Sequence, residues 1–117
     1  MSLDQNCLFC KIVDRKIPAK IVHRDEMVIA FEDINPQAPT HILVVPNKHI
    51  SDIQSMNEGH RELIGHLFFV ARNIAEARGL EKGGYRLVIN NGRDAGQAVF
   101  HIHLHLLSGR AFAWPPG

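Results

Sequence analysis

The sequence predicts an α+β fold with an antiparallel sheet of five strands, one long helix and a short N-terminal helix. Two observations lead to this class. Five short apolar or alternating segments bounded by turn residues lie along the chain, and one central stretch has the 3.6-residue period of a helix. The closing strands are joined by short turns, which is typical of antiparallel pairs. The long helix should therefore cover one side of the sheet.

The first third of the chain is expected to contain one short helix and three strands. Residues 4–14 carry apolar side chains at helical spacing, and Pro18 then imposes an extended or turn conformation. Strands are predicted at residues 21–23, 27–31 and 41–45. The prolines and the Asn-Pro pair of residues 33–39 predict a loop before the third strand.

The long helix is the clearest element in the pattern. Its apolar positions are Leu63, Ile64, Leu67, Phe68, Ala71, Ile74 and Ala75. Asn57 is the expected N-cap and Gly79 the expected C-terminal stop. After the helix, strands are predicted at residues 85–90 and 99–107, a glycine-bounded turn at 92–96, and a proline-rich tail at 111–117.

Composition narrows the class of protein. The 117 residues suit a single domain, 1–117, and the net charge of +1 disfavours a nucleic-acid or membrane-surface partner. No apolar run is long enough to cross a bilayer, and residues 1–11 lack the pattern of an export signal. We therefore expect a cytoplasmic protein, in which Cys7 and Cys10 serve redox or metal-binding chemistry rather than a structural disulfide.

Three histidines alternate with apolar residues in the last predicted strand. Because residues two apart in a strand share a face, His101, His103 and His105 should form one row, about 7 Å apart, with the apolar residues packed against the helix. A neutral imidazole can attack phosphorus, while a nearby imidazolium can stabilise phosphoryl oxygens or protonate a leaving group. The preceding glycine-bounded turn could bring backbone amides to an anion. The pattern therefore predicts phosphorus chemistry.

Two other interpretations of this row compete with catalysis. The histidines could be polar residues on a solvent face, or they could bind a metal ion. Three histidines in register after a glycine-rich turn are unusual on a solvent face. Three ligands on one straight strand also diverge too much to close a tetrahedron easily. The catalytic interpretation is therefore favoured.

Residues 101–107 fit a His-φ-His-φ-His-φ-φ motif, where φ is apolar, and this motif resembles the signature of the histidine-triad (HIT) superfamily. The segments 17–20, 31–34, 36–41 and 114–117 are similar to the Hint branch of that superfamily. The resemblance implies a HIT-like fold whose sheet continues across a homodimer. It also implies a purine nucleoside phosphoramidase, which cleaves the P–N bond of AMP or GMP adducts with amines, such as AMP-lysine, with no cofactor for catalysis.

The resemblance assigns roles to four histidines. His103 would be the nucleophile that forms a nucleotidyl-histidine intermediate, and His105 would contact the phosphate. His101 would orient His103, while His41 would take part in a proton relay close to the leaving group.

The resemblance also implies a nucleotide site, in which Asp33 accepts hydrogen bonds from the ribose hydroxyls. The residues of the base slot and of the phosphate side would be Leu8, Phe9, Ile12, Phe31, Ile34, Leu43, Asn90, Gly96, Gln97 and Val99. Trp114 would reach the partner's leaving group. A turn-capping carboxylate is the competing interpretation of Asp33. Plain core packing is the competing interpretation of Ile12, Phe31 and Leu43.

Two positions depart from the Hint pattern. Ala98 stands where many Hint-like chains have a serine that bonds the phosphate or the departing nitrogen, and a methyl group cannot form that bond. We therefore expect lower or altered phosphoramidase activity. Glu32 stands in place of a frequent histidine beside the base, which leaves the base preference open.

The CxxC motif of Cys7 and Cys10 supplies half of a tetrahedral zinc site. The resemblance implies that His49 and His101 complete a Cys₂His₂ set, as in HIT proteins that carry a structural zinc. The competing interpretation is a pair of reduced, partly buried cysteines. A CxxC oxidoreductase is disfavoured, because its motif is expected at a helix start after a strand.

Other functions compete with phosphoramidase activity. A hydrolase of dinucleoside polyphosphates or adenylyl sulfate is disfavoured by the tail at 114–117. A nucleotide-binding regulatory or scaffold protein is the third alternative. The remaining histidines, His23, His60 and His66, are expected to be ordinary surface or helix-face residues.

Overall fold

A computed structural model describes residues 4–117 of the chain. The first three residues lie outside the described part, although they belong to the predicted domain 1–117 and to the segment 1–11 that was inspected for an export signal. Five antiparallel strands form one sheet in the order β1-β2-β3-β5-β4. The strands are β1 (Ile21–Arg24), β2 (Val28–Glu32), β3 (Thr40–Pro46), β4 (Tyr85–Val88) and β5 (Leu104–Ser108), and the helices are α1 (Leu8–Val13) and α2 (Arg61–Ala77). This arrangement confirms the predicted fold class.

The central strands bury both faces, and alternate residues sort between the two sides of the sheet. On one side, Val28 and Ala30 of β2 and Val44 of β3 pack with α2. On the other side, their neighbours Phe31 and Leu43 pack with α1. The long helix covers one face, as predicted, and the short helix covers the other.

Helix α2 begins with a 3₁₀ turn and ends at a glycine. Asn57 caps the turn that leads into the helix, because its Oδ1 accepts the backbone N–H of Gly59 at 2.9 Å. Gly79 follows the C-cap with φ of +70°, in the left-handed region that favours glycine. The expected stop at Gly79 is confirmed, whereas Asn57 caps the preceding 3₁₀ turn and the α-helix itself begins three residues later than this cap would place it, with His60 as its N-cap. Among the described residues, no helix is long and apolar enough to span a membrane.

Helix α1 is shorter than the predicted segment 4–14. It begins at Leu8 because Cys7 adopts extended backbone angles and its Sγ accepts the N–H of Cys10 at 3.4 Å, which makes the cysteine the N-cap. The first cysteine of the CxxC motif therefore starts the helix, and the second lies within its first turn.

The last strand begins five residues later than predicted, and the prediction that it spans 99–107 is wrong in its first half. Continuing the register of β3 and β5 would place Ile102 opposite Pro46, which has no N–H to offer the ladder. The N–H of Ile102 instead donates to the carbonyl of Ile50 at 2.7 Å. Strand β4 also ends early, at Val88 rather than residue 90. Consequently only His105 of the histidine row lies within a strand.

Candidate active site and metal site

A cavity of about 490 Å³ opens on the α1 side of the sheet. Helix α1, the loop after β2, strand β3 and the segment before β5 enclose it. Of the predicted site residues, it gathers Leu8, Phe9, Ile12, Phe31, Asp33, Ile34, His41, Leu43, Gly96, Val99, His103 and His105. The cavity therefore combines an apolar wall with three imidazoles and two acidic residues, Glu32 and Asp33.

His103 is held by the backbone of its own segment. Its Nδ1 lies 2.7 Å from the carbonyl oxygen of His101, and a carbonyl only accepts, so Nδ1 carries the proton and donates. In the neutral ring this leaves Nε2 with a free lone pair. His103 is thus prepared to act as a nucleophile through Nε2.

His41 and His105 form a directed chain of hydrogen bonds. The backbone N–H of Gln37 donates to Nδ1 of His41 at 3.0 Å, so the proton of neutral His41 lies on Nε2. That Nε2 donates to Nδ1 of His105 at 2.9 Å, which places the proton of neutral His105 on its own Nε2. Nε2 of His41 also lies 3.5 Å from Oδ2 of Asp33. The chain can pass a proton between His41 and His105, which both line the cavity.

Burial keeps these histidines neutral at pH 7. Loss of solvation is the main cause of the lowered pKa values of His41 and His103. Burial, followed by the charges that His103 and His41 would carry, lowers the pKa of His105 to about 4. Neutral rings can supply the lone pair that a nucleophile needs.

The apolar wall contacts the ring of His103 edge-on. The ring of Phe9 meets the ring of Phe31 edge-on, with centroids 5.4 Å apart, and meets His103 in the same way at 5.1 Å. The rings of His103 and His105 are 4.9 Å apart, not the 7 Å expected for a straight strand. The difference arises because His103 precedes β5 and does not follow its regular geometry.

Asp33 has one oxygen in a turn and one beside the cavity. Oδ1 accepts the N–H of Asn35 at 2.9 Å, the turn-capping contact that competed with the ribose role. Oδ2 faces His41. The two roles are compatible because they use different oxygens.

The structure leaves several predicted site residues outside the cavity lining. Gln97 is buried, and its side chain accepts from the N–H of Gly92 and donates to the carbonyls of Ser51 and Val99. This side chain braces the glycine-bounded turn, so its contribution to the cavity is indirect. Three further predicted site residues, Asn90, Trp114 and His101, are also absent from the lining.

His101 turns its ring away from the cavity toward the two cysteines. Its Nδ1 lies 3.3 Å from Sγ of Cys7, 3.5 Å from Sγ of Cys10 and 3.3 Å from Nδ1 of His49. Nδ1 of His49 is in turn 3.3 Å from Sγ of Cys10. Four donor atoms of the types that zinc prefers therefore converge on one point.

These four donors fit a tetrahedral zinc ion. With Zn–S of about 2.3 Å and Zn–N of about 2.0–2.1 Å, the edges of the tetrahedron are roughly 3.3–3.8 Å, which matches the observed separations. Nε2 of His101 lies 2.8 Å from the carbonyl of Pro46 and donates to it, so Nδ1 keeps its lone pair for a metal. Burial lowers the pKa of His101 to about 4 and raises the pKa of Cys10 to about 11, so a buried thiolate here needs a cation. Cys7, Cys10, His49 and His101 thus form a candidate site for a structural zinc.

Sequence reasoning missed the backbone amide of Gln37 and the segment before β1 that joins the cavity wall. The missed lining residues are Ile17, Pro18, Ala19, Asn35 and Gln37, together with Glu32 and Ala98, which were noted only as departures from a pattern. The prolines Pro18, Pro36 and Pro39 were the available signal, because proline restricts the backbone of the loops that surround the cavity.

The fold, the histidine cavity and the Cys₂His₂ cluster together define one class of protein. The model of the HIT domain family matches residues 14–112, and the chain belongs to this family. The chain is similar to a crystal structure of a HIT family hydrolase from Legionella pneumophila Philadelphia 1, with 52% identity, a TM-score of 0.93 and coverage of 96% of this chain and 100% of that one. It is also 48% identical over 116 residues to the 14 kDa zinc-binding protein of Zea mays, covering 97% of this chain and 90% of the maize protein.

Proposed function

We propose that the protein is a nucleotide hydrolase that cleaves the P–N bond of purine nucleoside 5′-phosphoramidates through a nucleotidyl-histidine intermediate. The observation that carries this proposal is the hydrogen bond from Nδ1 of His103 to the carbonyl of His101, which leaves Nε2 unprotonated beside the cavity. The HIT family hydrolase from Legionella pneumophila supports hydrolysis as the reaction class.

The cavity suits a nucleoside monophosphate group. Its apolar wall, with Phe9, Phe31 and Leu43, offers a slot for a purine base, and Oδ2 of Asp33 is available to the ribose hydroxyls. The phosphate would bind beside the imidazoles of His103 and His105, which line the cavity. Gly96 lines the same cavity from the turn 92–96, which would bring backbone amides to the phosphate, and Val99 lines it from the segment that follows.

The reaction divides into two displacements at phosphorus. Nε2 of His103 attacks and forms a new P–N bond, while the substrate's P–N bond breaks and its electron pair leaves with the amine. The amine takes up a proton, which the chain of His41 and His105 is arranged to deliver. Water then attacks the nucleotidyl-histidine, the P–N bond to His103 breaks with its electron pair returning to Nε2, and the proton lost by the water restores the one that the His41 and His105 chain gave to the amine.

Ala98 lowers the expected rate of this reaction. It lines the cavity but offers no hydroxyl to the phosphate or to the departing amine. Loss of one such donor costs about 2–3 kcal/mol in the transition state when nothing replaces it. The reaction class stays the same, and the turnover number falls.

A bound zinc ion would hold the N-terminal end of α1 beside the histidine cavity. The four ligands come from α1, from the loop after β3 and from the segment before β5. When bound, the metal supplies structural cross-linking at this point. The zinc-binding relative from Zea mays supports the assignment.

We also propose that two copies of the chain form a homodimer with a continuous sheet. Strand β4 lies at one edge of the sheet and therefore has backbone groups available for pairing. Phe68 and Phe69 of α2 are exposed, with 65% of Phe69 accessible, and Trp114 is exposed on the tail.

Phe69→Glu should convert the dimer to a monomer in light scattering, while Phe69→Leu should not. A monomeric wild type contradicts the dimer.

A substrate panel tests the reaction class. Wild type and His103→Ala are compared on adenosine 5′-phosphoramidate, a dinucleoside polyphosphate and adenylyl sulfate, with AMP release as the readout. Preference for the phosphoramidate that disappears in His103→Ala supports the proposal. Faster cleavage of the polyphosphate or the sulfate identifies the alternative hydrolase. AMP binding without turnover of any of the three compounds favours the regulatory or scaffold protein.

A further inference from the structure

We propose that His23, Asp25 and His66 form a second metal site, for a divalent cation of the zinc or nickel class. From the sequence, both histidines were expected to be ordinary surface or helix-face residues. The structure brings them together with a carboxylate on the α2 side of the sheet, and none of the three residues lines the nucleotide cavity. The inference is independent of the proposed function.

An irregularity in the pairing of β1 with β2 places the side chain of His23 on the α2 side of the sheet. The pairing of β1 with β2 shifts between Ile21 and His23, and a bulge of this kind redirects a side chain. His23 is paired with Ala30, whose side chain lies in the core beneath α2. Because cross-strand partners share a face, the imidazole of His23 lies on the side where α2 presents His66.

Asp25 is fixed by the turn between β1 and β2. Its Oδ1 accepts the backbone N–H groups of Met27 at 2.7 Å and Val28 at 2.9 Å. Oδ2 remains for the histidines and lies 2.6 Å from Nε2 of His23 and 2.7 Å from Nε2 of His66. The side chain of Asn47 also donates to the carbonyl of Asp25, so the turn is joined to the end of β3.

The donor set matches the preferences of borderline divalent ions. Two imidazole nitrogens and one carboxylate oxygen suit zinc or nickel, and not magnesium or calcium, which prefer oxygen ligands. With metal–ligand distances of about 2.0–2.1 Å, ligands at right angles are roughly 2.9 Å apart. Each imidazole nitrogen therefore needs to move only about 0.2–0.3 Å away from Oδ2 of Asp25, from separations of 2.6 and 2.7 Å. This small adjustment is available to side chains that are about a third exposed.

Partial exposure also determines the kind of site. The side chains of His23, Asp25 and His66 are 36%, 29% and 34% exposed, so water can complete the coordination shell. Such a site binds more weakly than the closed Cys₂His₂ cluster, in which three of the four ligands are buried. The ion would join the β1–β2 turn to α2.

The experiment uses the full chain with the cysteine cluster filled by one equivalent of zinc. Nickel chloride is then titrated by calorimetry, and the melting temperature is recorded at each nickel concentration. We expect one additional equivalent in the wild type and a melting temperature that rises by several degrees at saturation. His23→Gln and His66→Gln should each weaken binding at least about 10-fold, and His60→Gln, a histidine outside the cluster, should change nothing.

A second readout is independent of the variants' folding. In the wild type, paramagnetic nickel should broaden the ring proton signals of His23 and His66 in NMR spectra before those of His60. Broadening confined to His41 and His105, or nickel affinity unchanged in His23→Gln and His66→Gln, overturns the proposal. A wild type that takes up no nickel beyond the filled cysteine cluster overturns it as well.

Discussion

His101 and His103 are two residues apart in the chain, yet their imidazoles belong to sites of opposite character. The ring of His101 is fully buried among sulfur and nitrogen donors, with Sγ of Cys7 3.3 Å from its Nδ1. The ring of His103 lines an open cavity and keeps one nitrogen unprotonated. Within the same short segment, the first site is closed, as suits a structural metal, and the second is open, as suits a substrate.

The difference lies in which ring nitrogen is bonded to a backbone carbonyl. His101 donates through Nε2 to Pro46 and presents Nδ1 to the cysteines. His103 donates through Nδ1 to His101 and presents Nε2 to the cavity. Backbone carbonyls thus fix opposite tautomers, and the tautomer decides which atom is available for chemistry. The carbonyl of His101 also connects the two sites directly.

The largest expected effect comes from replacing His103, the proposed nucleophile, which should abolish activity and leave the zinc site intact. His103→Asn should lower kcat/KM for adenosine 5′-phosphoramidate by at least about 10⁴-fold, because the amide cannot form the covalent intermediate. Its zinc content, measured by elemental analysis, should stay at one equivalent. His60→Asn is the matched control and should retain full activity. A His103→Asn variant with more than a tenth of the wild-type activity contradicts the role of this residue.

The second prediction concerns the loss of zinc from the Cys₂His₂ site. Cys7→Ser combined with Cys10→Ser should reduce bound zinc from one equivalent to less than a tenth. At free zinc 1,000-fold above Kd, a bound ion stabilises the fold by about 4 kcal/mol, so the free energy of unfolding in urea should fall by a similar amount. Wild type treated with a chelator is the control and should behave like the variant. Zinc that remains in the double variant would show that other ligands bind it.

The third prediction restores a donor in the open site. Ala98→Ser should raise kcat/KM for the phosphoramidate by up to about 100-fold, which corresponds to 2–3 kcal/mol of transition-state stabilisation. The Ala98→Gly variant offers no hydroxyl and is the control for a change of size alone. Equal gains in the serine and glycine variants would assign the effect to space rather than to a hydrogen bond.

The smallest effect concerns acid stability. Burial lowers the pKa of His105 to about 4 from an ordinary value near 6.5. Between these values the unfolded chain binds the proton and the folded chain does not, so stability is fully present above pH 6.5 and declines as the pH falls toward 4. Urea unfolding of zinc-free protein across this range measures the slope, and His105→Gln should make it shallower. An identical slope in the variant would show that His105 does not contribute.

Much of this architecture could be predicted from local patterns. The period of α2, the alternation in the central strands, the stop at Gly79 and the CxxC motif all depend on residues close in sequence. The start of β5 could not be predicted in this way, because it depends on Pro46 in the neighbouring strand. The prediction therefore identified the three histidines correctly but was wrong to place all three in one strand and on one face.

The histidine tautomers could not be predicted from the sequence either, because they too depend on residues that are distant in the chain. The proton on His41 is set by a backbone amide at Gln37, and the orientation of His101 by a carbonyl at Pro46. Every residue has a backbone carbonyl and every residue except proline has a backbone N–H, so the sequence does not show which of these groups a histidine will meet. The grouping of His23 with His66 likewise depends on a bulge and a helix that are far apart in the chain.

The most direct test of the account is to locate the covalent intermediate. Wild type mixed with adenosine 5′-phosphoramidate is quenched at alkaline pH within one turnover, digested and analysed by mass spectrometry. The account predicts an adenylyl group on His103, absent from His103→Asn and present at normal levels in His60→Asn. An adenylyl group on His101 or His105, or amine release in a burst with no adenylated residue, would contradict it.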